Sequence, residues 1–555
     1  MNTTKETADT KQTKAPGKQL TSILVADEIS PEGLEVLKQD LEVLYQPDIK
    51  AAELLEKIPD FDAVLVRSRT KITAEVIRAG KKLKIIGRAG VGVDNIDVGT
   101  ATECGVIVVN SPEGNTASAA EHTVALMMAL SRMIPAADQS LKSGKWERNK
   151  FIGSELFNKT LGVIGLGKVG GRVAQAALAL GMKVIVYDPL ISAERAASLH
   201  FTSVALEEIW RTADYITVHT PKTRETTNLI SGSVLSRVKK GVRIVNTSRG
   251  GVIDEEALAK AILDGRVAGA ALDVFESEPP GESPLFACQD KVILTPHLGA
   301  STVEAQFNVA IDLAEQMRDY LTLGVTKSPV NLPFMRPEIL KELGRYVWLG
   351  EALGTIIGQL GDGTVKEVEV IASGELSTKD IAPLTVAALK GVLRSRMESV
   401  TYVNANLIAK NNGIQVRESK FNEDSQFKSE ISVILATDQG VTSISGTILA
   451  HDEAVITKIN NHPINLTPSK YMLVTAHRDQ PGIIAKVAGA LGQHDVNIST
   501  MGVARRGVRE EAVMVMTLDD PIPPELMKNL AEVPGIYLAR FVSLTSIPTQ
   551  PAHHQ

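Results

Sequence analysis

Residues 160–189 read TLGVIGLGKVGGRVAQAALALGMKVIVYDP. The apolar run 160–164 suits a buried strand, and Gly165, Gly167 and Gly170 follow it as GxGxxG at the head of a helical segment that runs to Gly181. Between strand and helix, such glycines permit a tight turn, close backbone approach to a pyrophosphate and close helix packing. Free N–H groups at the helix start face the anion. The next strand delivers Asp188, where a carboxylate accepts hydrogen bonds from both adenosine ribose hydroxyls and repels a 2′-phosphate. NAD is favoured over NADP. The competing reading, a glycine turn that only packs a helix on a strand, gives Asp188 no role.

Outward from this unit, the runs SILVA, PEGLEVLKQ, DAVLVR, ITAEVIRAG, LKIIG and VIVVN alternate strand and helix character from Ser22 onward. That alternation predicts parallel strands joined by right-handed crossovers. A long helix over 116–132 opens a second unit with six predicted strands: TLGVIG, KVIVYD, YITVHT, RIVNTS, AGAALDV and VILTPH. A helix from Thr302 to Leu323 ends at Gly324, and the Pro-bearing SPVNLPFMRPE reads as a linker. Residues 338–465 read as mixed α/β, with two helical regions, VEVIA, ISVILA and TSISGTIL, and carry no catalytic constellation. From Tyr471 the order is βαββαβ over about 75 residues.

Composition bounds the rest. A chain of 555 residues exceeds one typical domain several-fold, so several are expected. With 59 basic and 65 acidic residues the formal charge is -6, which argues against nucleic acid as a partner. Only Cys104 and Cys288 occur, so neither a disulfide framework nor zinc-ligand spacing is present, and a reducing, cytoplasmic setting is expected. No metal is expected. No apolar run reaches the roughly 18 to 20 residues that cross a bilayer, so no membrane partner is expected. Residues 1–19 lack an apolar h-region and are expected to be a disordered tail, as is the closing segment.

Ligands of open α/β sheets bind beyond the carboxyl ends of strands. Arg67, Arg69, Arg88, Asn110, His219, Arg249, Asp273 and His297 all follow or end predicted strands. Each alone could be a turn or cap residue; their accumulation on one rim is what points to a site. Arg249, Glu278 and His297 form the best catalytic set. Oxidising a 2-hydroxy acid needs a planar cation forked onto the carboxylate, a base for the hydroxyl proton and a hydride acceptor. Arg fills the first role, His the second, and a nearby Glu orients the imidazole and stabilises its protonated form.

The blocks GRAGVGVDNIDV, NKTLGVIGLGKVGGRVA, YDP, TVHTP, NTSRGGVIDEEAL, LDVFESEPP and TPHLGAST, over about 85–305, resemble the D-isomer-specific 2-hydroxyacid dehydrogenases. From 20 to 545 the domain order is similar to that family's long form, which acts on 3-phosphoglycerate. The resemblance implies an α/β architecture: a flavodoxin-like substrate domain (20–115 and 303–330) with an inserted Rossmann dinucleotide-binding domain (116–302). An intervening mixed α/β domain (331–466) and a ferredoxin-like ACT domain (467–546) follow, with tails at 1–19 and 547–555. It further implies Arg249 as carboxylate binder, Glu278 as acid partner and His297 as proton donor or acceptor. Dinucleotide contacts are implied for Val91, Lys168, Val169, Asp188, Thr220, Thr247, Ser248, Asp273, Gly299 and Ala300.

For a phosphorylated substrate, Arg67, Arg69 and Lys71 can supply added charge, with Asn115 also at the substrate. Arg148 resembles the family's extra phosphate-site arginine, offered from a neighbouring subunit. The last module resembles an ACT domain, which commonly binds an amino acid at a domain interface. His477, Asp479 and Asn497 match positions that grip serine, although Asp479 equally suits a helix N-cap. The middle domain resembles the long form's intervening, anion-binding domain, and a homotetramer is implied. Two other readings stay open: a dinucleotide-sensing corepressor on the same scaffold, and a dehydrogenase for an unphosphorylated acid such as glyoxylate or lactate.

Overall fold

In a computed structural model, which describes residues 21–332, 337–397, 399–422, 427–505 and 507–544, four sheets succeed one another along the chain. Both expected tails, 1–19 and 547–555, lie outside the described residues.

The first sheet is parallel and five-stranded, in the spatial order Glu42–Tyr45, Ser22–Val25, Ala63–Val66, Ile85–Arg88, Ile107–Asn110. This is the flavodoxin-like order. Strand Ala63–Val66 is buried throughout, as expected where helices cover both faces. The sequence reading omits Glu42–Tyr45, an edge strand with mostly exposed residues and therefore no apolar signature.

The second sheet is parallel and has seven strands, ordered Val292–Leu294, Val267–Leu272, Val242–Asn246, Tyr215–Val218, Thr160–Ile164, Lys183–Tyr187, Thr202–Ser203. All six expected strands are there; the seventh, Thr202–Ser203, is a two-residue edge. The order reverses beside Thr160–Ile164, which places a crevice at the Gly-rich turn.

Helix Val303–Leu323, N-capped by the Thr302 hydroxyl accepting from the Ala305 N–H at 3.1 Å, returns to the first sheet. Its Val309, Ala310, Leu313, Ala314 and Met317 share one core with Ile23, Val25, Leu65, Ile85 and Ile107. The dinucleotide-binding sheet is thus inserted into the first unit, and a cleft opens between the two lobes.

Beyond helix Pro337–Leu360, a six-stranded sheet begins with Val365–Gly374 and packs against the helix Ala382–Arg394. The last sheet is antiparallel, ordered Ile498–Arg505, Glu511–Leu518, Tyr471–Arg478, Ile536–Ser543, with helices Ile483–Gln493 and Pro524–Ala531 on one face. Its other face buries Met472, Val474, Val513, Val515 and Val542 in the core of the preceding domain. Among the described residues no helix is long and apolar enough to cross a membrane.

Candidate active site

The Gly-rich turn is shaped by contacts that exclude side chains. Gly165 sits at φ +91, and a Cβ there would lie 2.4 Å from the His219 carbonyl oxygen; one on Gly170 would lie 2.0 Å from the Gly165 carbonyl. Gly167 differs: a Cβ on it would meet nothing within 4 Å. It is the N-cap residue of helix Lys168–Ala179, with no side-chain cap, so open space lies over uncapped helix amides. The buried Thr220 hydroxyl, beside this turn, has no hydrogen-bond partner. An open backbone cradle and an orphaned hydroxyl fit a dinucleotide.

The Asp188 carboxylate accepts from the Leu166 N–H at 2.7 Å and the Leu190 N–H at 2.8 Å, so it braces the turn. Each oxygen retains a second lone pair for a ribose hydroxyl. Lys168 is ion-paired with Glu113 across the lobes, and Val169 packs beside the core under the turn. Thr247 and Thr123 share a hydrogen bond between hydroxyls at 2.6 Å, while Ser248 donates to the Asn246 side-chain carbonyl from its N–H and its hydroxyl.

Across the cleft, about 390 Å³ in volume, Arg249, Glu278 and His297 line one wall together with Ala300 and face Val91 of the other lobe. His297 Nδ1 lies 2.7 Å from Glu278 Oε2. Burial raises Glu278, but the His297 contact and the Phe275 N–H outweigh it and leave the carboxyl below its ordinary range. Arg249 is held at Nε by Asp94 of the opposite lobe at 3.1 Å and donates through Nη1 to the Ser248 carbonyl at 2.7 Å. Its Nη2 lies 2.1 Å from where a Cβ on Gly92 would stand, so the guanidinium rests against bare backbone.

Several expected ligands are placed differently. Asp273 is fully buried: Thr295 Oγ1 and the Leu298 N–H donate to its Oδ1, with His122 Nε2 3.1 Å from the same oxygen, and the Gly299 N–H donates to Oδ2. It anchors the 297–299 segment. Arg69 is ion-paired with Asp27 and Asp48 and does not line the cleft, whereas Arg67 does. Lys71 also lies outside the cleft lining. Arg148 is exposed on the short turn Arg148–Lys150, likewise away from the cleft. Asn115 lines it, with a buried Oδ1 that has no partner.

Of the other strand-end residues, Asn110 donates to the Val91 carbonyl, and burial holds the His219 imidazole near 4, with Nε2 2.9 Å from Thr217 Oγ1. Neither lines the cleft. Arg88 does line it, with a buried Nε that lacks a partner. The strand-end rule finds Arg88 but gives it no role. Asp94 and His122 carry no local signal, because their partners are more than a hundred residues distant.

In the C-terminal module His477 is buried, and its Nδ1 lies 3.4 Å from Thr475 Oγ1. Asp479 is no helix cap: it pairs with Arg505 and accepts the Arg509 N–H. Asn497 donates to Asp519 at 2.6 Å. His477 is level with Ala512, while Asn497 lies beside Asp519 past the far end of the same strand, roughly 20 Å along it. One module does not bring the three together.

A Gly-rich cradle with an acidic ribose partner, a cation and an acid-backed imidazole at one lobe interface define an NAD-dependent 2-hydroxyacid dehydrogenase. Comparisons agree. Residues 124–299 match the profile "D-isomer specific 2-hydroxyacid dehydrogenase, NAD binding domain", residues 342–460 the "D-3-phosphoglycerate dehydrogenase intervening domain", and residues 471–535 the "ACT domain". A D-3-phosphoglycerate dehydrogenase of Synechocystis is 48% identical over 95% of this chain and 95% of its own length. That of Bacillus subtilis is 40% identical over 94% of this chain and 99% of its own. Among solved structures, a glyoxylate reductase from Paecilomyes thermophila (28% identity, TM-score 0.53) covers 56% of this chain and 99% of its own. The chain belongs to the D-3-phosphoglycerate dehydrogenase family, in its long form with intervening and ACT domains.

Proposed function

We propose that the protein oxidises 3-phospho-D-glycerate to 3-phosphohydroxypyruvate with NAD, the first step of L-serine synthesis. The observation that carries this reading is the convergence of Arg249, Glu278 and His297 on one cleft beside the Gly-rich turn. Arg249 binds the substrate carboxylate, and its neighbours Asp94 and Ser248 fix the plane of the guanidinium. The His297 Nε2 takes the C2 hydroxyl proton while Glu278 holds Nδ1 and offsets the charge that develops on the ring. NAD, when bound, supplies the hydride acceptor. The Gly165–Gly170 turn, Asp188 and Thr220 hold it, with Thr247, Ser248, Gly299 and Ala300 along the same rim.

Arg67 and Asn115 support a seat for the phosphoryl group within the cleft. The intact catalytic set and the appended ACT module weigh against the corepressor reading. Arg249→Ala should lower kcat/KM at least roughly a hundredfold in a steady-state assay with 3-phosphoglycerate and NAD. A loss under about threefold would remove Arg249 from its role.

Serine feedback through the ACT module is the regulatory part of the proposal. A serine site that uses His477, Asp479 and Asn497 takes them from two copies of the module, which accords with a homotetramer. Isothermal titration of serine into the protein tests it, and absence of binding at millimolar serine removes it.

A further inference from the structure

We propose that His122 is a positioning residue for the reaction: from the helix Thr116–Arg132 it holds, through Asp273 and Thr295, the backbone that carries the His297 imidazole. The assignment rests on the reading above, in which His297 takes the hydroxyl proton.

His297 stands at φ +55. That left-handed conformation is uncommon for a residue with a side chain, so the surrounding structure must hold it in place. Its N–H lies 2.9 Å from the Asp273 carbonyl oxygen and 3.0 Å from that of Thr295. The next two amides, of Leu298 and Gly299, donate to the Asp273 carboxylate at 2.7 and 2.8 Å. A carboxylate that changed rotamer would release both. On Oδ1 the Thr295 hydroxyl at 2.6 Å and His122 Nε2 at 3.1 Å oppose that change, and the same Nε2 lies 3.3 Å from Thr295 Oγ1. An ionised carboxylate only accepts, so Nε2 carries the hydrogen and is shared between the two oxygens. His122 does not line the cleft. It therefore acts on the chemistry only through Asp273 and Thr295.

The same helix makes two further ties. Ser118, one turn before His122 and on the same face, donates to the Gly299 carbonyl at 2.8 Å. Thr123 shares a hydrogen bond between hydroxyls with Thr247, two residues before Arg249, at 2.6 Å. One rigid helix thus grips both the segment that carries the carboxylate-binding guanidinium and the segment that carries the imidazole, and sets the spacing between them. Such a splint matters because a misplacement of about 1 Å, caused far from the reacting atoms, can cost roughly a hundredfold in rate.

The test is a steady-state assay with 3-phosphoglycerate and NAD on the full chain and on His122→Leu, His122→Gln and Ser118→Ala. In His122→Leu, kcat should fall about tenfold to a hundredfold, while KM for 3-phosphoglycerate stays within about threefold, because Arg249 is tied through Thr123 and not through His122. His122→Gln places an amide N–H at a similar reach and should recover most of kcat. Leucine and glutamine are close in size, so a loss of packing alone would strike both alike. Ser118→Ala, which removes one hydroxyl, should lower kcat about threefold to tenfold. If His122→Leu does not fold, His122→Asn, whose amide is too short to reach Asp273, takes its place. A kcat within about threefold of the wild type in the Leu or Asn variant, equal losses in the Leu and Gln variants, or a loss confined to KM overturns the assignment alone. A wild type that does not oxidise 3-phosphoglycerate defeats the reading beneath it.

Discussion

His297 Nδ1 sits 2.7 Å from Glu278 Oε2, while the backbone N–H of Phe275 donates to the other carboxylate oxygen at 3.1 Å. The carboxyl is therefore fixed at both oxygens and aimed at one ring nitrogen. Nε2 remains for the substrate.

Replacing Glu278 by Gln keeps the shape and removes the charge. Glu278 lies below its ordinary value of 4.5, because its partners outweigh burial, so it is ionised across the neutral range. A neutral amide at 278 no longer offsets the charge that develops on the ring when Nε2 takes the substrate proton, so in Glu278→Gln kcat for oxidation should fall roughly tenfold to a hundredfold. A steady-state kcat within about threefold of the wild type would show that the carboxylate does not support the imidazole in the reaction.

The second and third glycines of the Gly-rich turn separate folding from binding. A Cβ on Gly170 would stand 2.0 Å from the Gly165 carbonyl, whereas one on Gly167 is free of contacts. Gly170→Ala should cost at least about 1–3 kcal/mol through overpacking and lower the Tm. Gly167→Ala should leave the Tm near that of the wild type, yet raise the KM for NAD about tenfold or more by filling the pyrophosphate approach. The pairing of melting curves with NAD titrations checks both; equal effects on Tm would contradict the open cradle.

These glycines also show why so much was legible. GxGxxG, Asp188 and the strand-end polar residues are local patterns set by backbone sterics and by the chain's return to one rim, so sequence spacing carries them. Arg67 and Arg69 look alike in sequence, and only Asp27, some forty residues back, together with Asp48, decides that Arg69 turns away. The strands Glu42–Tyr45 and Thr202–Ser203 escaped because edge residues face solvent and lack a burial pattern. Asn497 matches a serine position by motif, yet strand register carries it far from His477.

Asp273 links the core to the His297 segment and brings a pH dependence. Burial raises it, but His122, Thr295 and the Leu298 and Gly299 amides outweigh this and hold it below its ordinary value of 3.8. A depressed carboxyl gives stability that is complete above the unfolded value and is lost as pH falls through the lower folded one. Asp273→Asn should be less stable than wild type at neutral pH by about 1–3 kcal/mol. That gap should narrow as acid is added below the ordinary value, because the wild type then loses the same charge. Urea unfolding at a series of pH values measures the gap; one independent of pH would sink the account. Activity should fall with the variant too, since the loop that carries His297 loses its anchor.

Lys390 and Glu351 give the sharpest test outside the cleft. Their side chains are 9% and 2% exposed, Nζ lies 2.6 Å from Oε1, and the Tyr402 hydroxyl donates to the other carboxylate oxygen. Nζ also stands 3.8 Å from the Tyr402 ring centroid. Burial lowers the Lys390 ammonium from its ordinary value despite Glu351, and burial, followed by that carboxylate, pushes the Tyr402 phenol well up. Breaking such a pair leaves one uncompensated interior charge, so Lys390→Met alone or Glu351→Leu alone should each cost about 3–5 kcal/mol. The double variant, which buries no charge, should recover much of that loss. Additive losses in the cycle, read by urea unfolding, would mean that the pair is not coupled. The neighbouring Thr401 hydroxyl donates to the Gly105 carbonyl of the first lobe at 3.3 Å, so both single variants should also loosen the seam between the intervening domain and that lobe. Faster hydrogen exchange at residues 103–106 in the single variants, absent from the double, would register it.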